Sequence, residues 1–189
     1  MLYKPVTGGI MTVAIQQPVV NTRTPSATQE SIQLTINGQQ QTHHISSQWT
    51  LTHFLRNELS LTGTKETCAE GACGSCTVLV DGLPTLACVT MVATLDGKTI
   101  ETIEGMANGN NLHPIQQAFV DERGSQCGYC SPGFIMTTKH LLENNPNPTD
   151  TEIKQALSGN ICRCAAYEHI VNAVNSAAAT LAKEVTQDD

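Results

Sequence analysis

The chain has 189 residues, with 10 Lys and Arg against 17 Asp and Glu for a net charge of −7, and hydrophobic residues make up 40% of it. That is enough for one domain or two small ones with an aliphatic core, since only 4% of the chain is aromatic. The acidic balance, with no Lys/Arg cluster, argues against nucleic acid or an anionic membrane as partner. Eight cysteines are too sparse and too clustered for a disulfide scaffold.

Residues 1–30 are rich in Thr, Gln, Pro and Ser without sustained periodicity and read as a flexible arm, with Met11 as a possible true start. The stretch GGIMTVAI over 8–15 is too weak for a secretion signal. There is no twin-arginine pair, and no run approaches membrane-spanning length, so no membrane insertion is expected. A cytoplasmic location is the expectation.

Ile32, Leu34 and Ile36 alternate with polar residues, and Asn37-Gly38 predicts a hairpin turn with a return strand to about Ile45. Leu51, Phe54, Leu55 and Leu59 have helical spacing behind Thr50 as N-cap. After Gly63 comes a cysteine loop. A second hairpin is then predicted over Thr77–Val80 and Pro84–Val89 about Asp81-Gly82, with one more strand over Thr99–Ile103. This order fits a four- or five-stranded mixed sheet clasping one helix. Beyond the linker at 106–111 the signals are helical. Pro114 opens a helix that Gly124 closes. Ser131-Pro132 reads as an N-cap and first-turn proline for a helix running to Asn144. Thr149 and Glu152 form a capping box for a third, which ends near Ser158-Gly159. Ile170, Val171, Val174, Ala178 and Leu181 stripe a last helix.

Cys68, Cys73 and Cys76 read C-x4-C-x2-C, with Cys88 in the following hairpin. This is plant-type ferredoxin spacing, in which four thiolates hold one [2Fe–2S] cluster. Gly71 and Gly74 supply the positive φ angles that such a loop needs and let backbone N–H groups approach sulfur. Structural zinc is the alternative, although zinc ligands usually come as two short knuckles. The second quartet is Cys127, Cys130, Cys162 and Cys164. Each of its pairs falls just before a helix, where free N–H groups and the positive dipole end favour thiolates. Taken alone, C-x2-C…C-x-C fits zinc or a second [2Fe–2S] unit. The first quartet beside it favours iron.

CAEGACGSC over 68–76, QCGYCSPG over 126–133 and SGNICRC over 158–164 resemble the iron–sulfur subunit of the molybdenum hydroxylases, the xanthine dehydrogenase/aldehyde oxidase family. LTGTK over 61–65, TIEG over 102–105 and LHPIQQAF over 112–119 fit as well. The resemblance spans about Ser31 to Ala182. Thr67 stands where many members have Gly, which alters the loop entry without removing a ligand. The resemblance implies an α+β chain: a β-grasp, plant-type ferredoxin domain over 31–107, then an all-α four-helix-bundle [2Fe–2S]-binding domain over 108–185. It also implies two [2Fe–2S] clusters, a large partner subunit bearing molybdopterin and a medium partner subunit bearing FAD. Electrons would leave molybdenum through the helical-domain cluster, then the ferredoxin-like cluster, for FAD or an external acceptor. The substrate class would be aldehydes or N-heteroaromatic compounds. Gln126 would hydrogen-bond the pterin; its bland alternative is a local backbone cap.

The six histidines invite a Rieske reading that eight cysteines make unnecessary. His43, His44 and His53 read as a solvated face, and His113 as a helix cap. Arg163 lies between two ligands, suited to a carboxylate, a cofactor phosphate or a surface salt bridge. No nucleophile–base pair or phosphate loop is present, so no substrate site is expected in this chain. The competing reading is a free-standing two-cluster ferredoxin, and a third is a zinc-stapled binding module.

Overall fold

The computed structural model describes residues 29–185. The readings of the N-terminal arm and of Met11 lie outside them, apart from Gln29 and Glu30, which open the first strand.

Two tight turns build the sheet. β1 (Gln29–Ile36) returns as β2 (Gln39–Ser46) in an antiparallel hairpin. Asn37 and Gly38 both have positive φ, 48° and 80°, as a primed turn that matches strand twist requires. β3 (Thr77–Val80) and β4 (Leu83–Leu86) repeat the device over Asp81 and Gly82. β5 (Thr99–Glu101) runs parallel to β1 and antiparallel to β3. The sheet is therefore mixed and five-stranded, in the order β2-β1-β5-β3-β4. The second hairpin is shorter than predicted, because the chain turns after Leu86 and carries Cys88 inward. The strand predicted to Ile103 stops at Glu101 and passes into a 3-10 turn over Ile103–Gly105.

α1 (Leu51–His53) lies against this sheet and continues as a π-helical turn over Phe54–Glu58. Thr50 caps it, accepting a bond from the His53 N–H. Leu51, Phe54 and Leu55 are buried with Ile32, Leu34, Ile36, Val78 and Ile100, which is the clasp expected of the pattern. His43 departs from the solvated reading. It is half-buried, its ring stands edge-on to Phe54 at 5.1 Å, and burial lowers its pKa.

Four helices follow: α2 (Pro114–Asp121), α3 (Ser131–Asn144), α4 (Asp150–Ala156) and α5 (Tyr167–Val185). His113 caps α2 in a reciprocal box with Gln116, and Thr149 does the same for α4 with Glu152. Ser131 is not a cap. The N-cap of α3 is Cys130, and the Ser131 hydroxyl instead meets that of Ser125. The common core of the four helices holds Ile115, Phe119, Phe134, Leu142, Ile153, Ile170 and Val174.

α3 packs on β3 and β4, joining sheet and helices. Lys139 on α3 reaches Glu101 at 2.9 Å and also pairs with Glu143. Burial opposes the lysine's charge, but the two carboxylates outweigh it and raise its pKa. The His140 ring donates from Nδ1 to the Gly82 carbonyl at 2.9 Å. No described helix is long and apolar enough to cross a membrane.

Phe54→Ala should cost about 3–5 kcal/mol, the usual range for emptying such a site. The check is urea unfolding followed by far-UV circular dichroism. A loss below about 1 kcal/mol would mean that the helix does not hold the sheet.

Candidate metal centre

The loop at 66–76 is fastened before it reaches its first cysteine. The guanidinium of Arg56 donates through Nη1 to the carbonyls of Thr62 and Thr64, both at 2.8 Å. The Gly63 N–H donates to Glu104 at 2.7 Å. LTGTK and TIEG thus meet in space and anchor the loop entrance. Ala69, Gly71 and Gly74 then take positive φ, at 55°, 78° and 71°, so the backbone curls with its N–H groups facing inward.

Two thiol pairs result. Cys68 lies beside Cys73, and Cys76 beside Cys88, with the charge of Cys73 reaching Cys76. The Ala72 N–H donates to the Cys68 sulfur at 3.4 Å. Backbone N–H groups of Glu70 and Ala72, with the Cys73 thiol, bring the Cys68 pKa down to about 6. Burial, with the Cys88 thiol and charge, pushes Cys76 up to about 12.

The second quartet repeats this layout on helices. Cys127 lies beside Cys164 and Cys130 beside Cys162, and Cys127 also acts on Cys130. The backbone N–H of Tyr129 and the Cys164 thiol lower Cys127. Burial and Cys162 push Cys130 up to about 12. For Cys164, the Cys127 backbone N–H favours the thiolate, but the Cys127 thiol, burial and nearby charge leave its pKa raised. The Tyr167 hydroxyl accepts from the Cys162 N–H at 2.9 Å. Gly128 has φ 81° and Ala165 φ 59°, which turn the chain so that each pair points at the other.

Both sites fit a two-iron unit. Such a unit takes four thiolates shared between two irons, and each quartet here is two adjacent pairs. Backbone donors facing sulfur supply the compensation that an anionic cluster needs.

The two sites adjoin. The Ile161 N–H, one residue before Cys162, donates to the Cys73 carbonyl at 2.9 Å. The Asn160 amide donates to the Gly74 carbonyl at 3.0 Å. The Tyr129 hydroxyl donates to the Glu66 carbonyl at 3.0 Å. Gln126 is exposed next to exposed Cys127, and among the described residues its side chain has no hydrogen-bond partner. Arg163 is exposed. Sequence reasoning missed Asn160 and Tyr129, whose partners lie far away in the chain; the motifs SGNICRC and QCGYCSPG contain them, but nothing local marks their role.

Comparison with known proteins places the chain in a family. Residues 20–125 match the family described as "2Fe-2S iron-sulfur cluster binding domain", and residues 102–175 match "[2Fe-2S] binding domain". The fold and paired thiols thus define a chain with two [2Fe–2S]-binding units. The nicotine 6-hydroxylase small subunit of Paenarthrobacter nicotinovorans is 44% identical over 152 residues, covering 80% of this chain and 92% of that one. The nicotinate dehydrogenase small FeS subunit of Eubacterium barkeri is 43% identical over 147 residues, covering 78% and 94%. The crystal structure of quinoline 2-oxidoreductase from Pseudomonas putida 86 superposes with a TM-score of 0.79 at 37% identity, covering 82% of this chain and 97% of that one. The chain belongs to the iron–sulfur small subunits of the molybdenum hydroxylase family.

In the chelator-stripped chain, alkylation rate should follow thiolate fraction. Cys68, whose folded pKa of about 6 lies below pH 7, should be labelled early by iodoacetamide, and Cys127 early as well. Cys76 and Cys130 should be labelled last. The Cys68 thiolate contribution to the fold should be lost as pH falls through its folded value. The check is peptide mass mapping against time; equal rates at all eight positions would contradict the geometry.

Proposed function

We propose that Cys68, Cys73, Cys76 and Cys88 hold one [2Fe–2S] cluster, and Cys127, Cys130, Cys162 and Cys164 the other, in an electron-transfer subunit of a molybdenum-containing hydroxylase. The observation that carries this reading is the pair-on-pair arrangement of both quartets at one seam. When bound, the clusters supply one-electron carriers between an acceptor and the molybdopterin of a large partner subunit. The chain's own part is to favour the thiolate at Cys68 and Cys127, shield the more buried thiols and keep the two sites in contact.

The sheet unit, 31–107, and the helical unit, 108–185, are proposed as the two domains, on the ground that each encloses its own apolar core. The helical quartet is proposed to face the large subunit. Tyr129, Ile161 and Tyr167, apolar residues between 46% and 51% exposed, flank its cysteines. An open groove of about 690 Å³ beside it is lined by Phe134, Ile161, Tyr167 and Val171, among others. Such surface favours an obligate subunit over a free carrier. Gln126 is proposed to reach the pterin, since its unpartnered amide stands at that face. A medium FAD subunit is proposed to take electrons from the ferredoxin-like side. An aldehyde or N-heteroaromatic substrate and a cytoplasmic location complete the reading.

Cys127→Ser in the assembled complex should leave substrate able to reduce molybdenum while abolishing transfer to the acceptor. Cys76→Ser should remove one cluster signal and spare the other. Both are read by electron paramagnetic resonance after substrate addition. Loss of molybdenum reduction in the first variant, with the complex intact, would contradict the relay order.

A further inference from the structure

The seam between the two quartets is tightest where three backbone segments meet. Gly74 stands between Cys73 and Cys76. Gly133, in the first turn of α3, lies three positions beyond Cys130. Asn160 lies two before Cys162. A β-carbon on Gly133 would sit 2.2 Å from the Gly74 carbonyl oxygen and 3.1 Å from the Ser75 Cα, where ordinary contact begins at 3.4 Å. At Gly74, with φ +71°, a β-carbon would sit 2.4 Å from the Gly159 carbonyl oxygen. Backbone rests on backbone here, and only hydrogen fits between.

Asn160 holds this contact. It is only 6% exposed, and burying an amide is costly unless it is paired. Its Nδ2 donates to the Gly74 carbonyl at 3.0 Å, and its Oδ1 accepts from the Thr137 hydroxyl on α3 at 3.0 Å. A carbonyl only accepts, so the amide orientation is fixed. The bonds span 86 and 23 positions of sequence and join the first cysteine loop, the helix after Cys130 and the segment before Cys162. A seam needing cohesion alone is served as well by apolar side chains, whereas this one brings together the peptides that carry the thiols.

We propose that Gly133 and Asn160 are positioning residues that set the separation of the two cluster sites. This rests on the ligand assignment above. The magnetic interaction between two reduced clusters falls with the inverse cube of their separation, and electron exchange falls more steeply still. A small displacement at this contact therefore changes both without touching a ligand.

The test uses the protein as isolated, reduced with dithionite, with iron quantified on the same sample. Gly133→Ala and Asn160→Asp should retain wild-type iron and both individual signals, and lose the splitting that arises from interaction between the clusters. The aspartate keeps the shape of asparagine but sets a carboxylate oxygen against the Gly74 carbonyl. Gly159→Ala, whose β-carbon meets nothing within 4 Å, should keep the splitting. Unchanged splitting in Asn160→Asp at full iron would overturn the proposal, and that variant alone decides if Gly133→Ala fails to fold. A wild-type protein without two iron–sulfur signals would instead remove the ligand assignment, an outcome read without any variant.

Discussion

Eight thiols gathered into two sites repel one another once ionised, and the rest of the structure is arranged around offsetting that repulsion. Both quartets solve it alike, although one sits on a sheet loop and the other on helix starts. Each has a sulfur near the rim whose pKa is lowered chiefly by backbone N–H groups, Cys68 in one and Cys127 in the other. Each also has a less exposed sulfur pushed up to about 12, the buried Cys76 or the half-buried Cys130. Ionising the buried thiols is work that metal binding must supply, which ties cofactor loading to folding.

That requirement explains the seam. Two apolar cores, one between sheet and α1 and one among α2–α5, give each quartet its own rigid support. The supports are then locked by polar contacts: Lys139 to Glu101, His140 to the Gly82 carbonyl, Tyr129 to the Glu66 carbonyl and Asn160 to the Gly74 carbonyl. The hydrogen bonds among them constrain direction and distance as well as adding adhesion. An electron-transfer subunit depends on such fixed spacing, since its chemistry consists of holding carriers close and dry.

Local physics made much of this legible in the sequence. Asn37-Gly38 and Asp81-Gly82 announced hairpins because few residues accept positive φ twice in succession. Thr50, His113 and Thr149 announced helix starts because orphan N–H groups need an acceptor. The cysteine spacing marked out both quartets, and the family motifs named the class. What stayed hidden depends on distant partners. Ser131 looks like a cap, yet Ser125 takes its hydroxyl and leaves the cap to Cys130. β4 ends early because Cys88 must turn inward, a demand invisible in the apolar run. His43 reads as solvated until Phe54 folds beneath it. The Asn160–Gly74 bond joins residues 86 positions apart, beyond any periodicity.

The most direct test of the account is electron paramagnetic resonance of the dithionite-reduced chain, with iron and acid-labile sulfide measured on the same sample. Two distinct [2Fe–2S] signals and two irons for each of the two matched binding units are expected. A single signal, with zinc in the remaining quartet, would contradict it and leave the helical part a structural module.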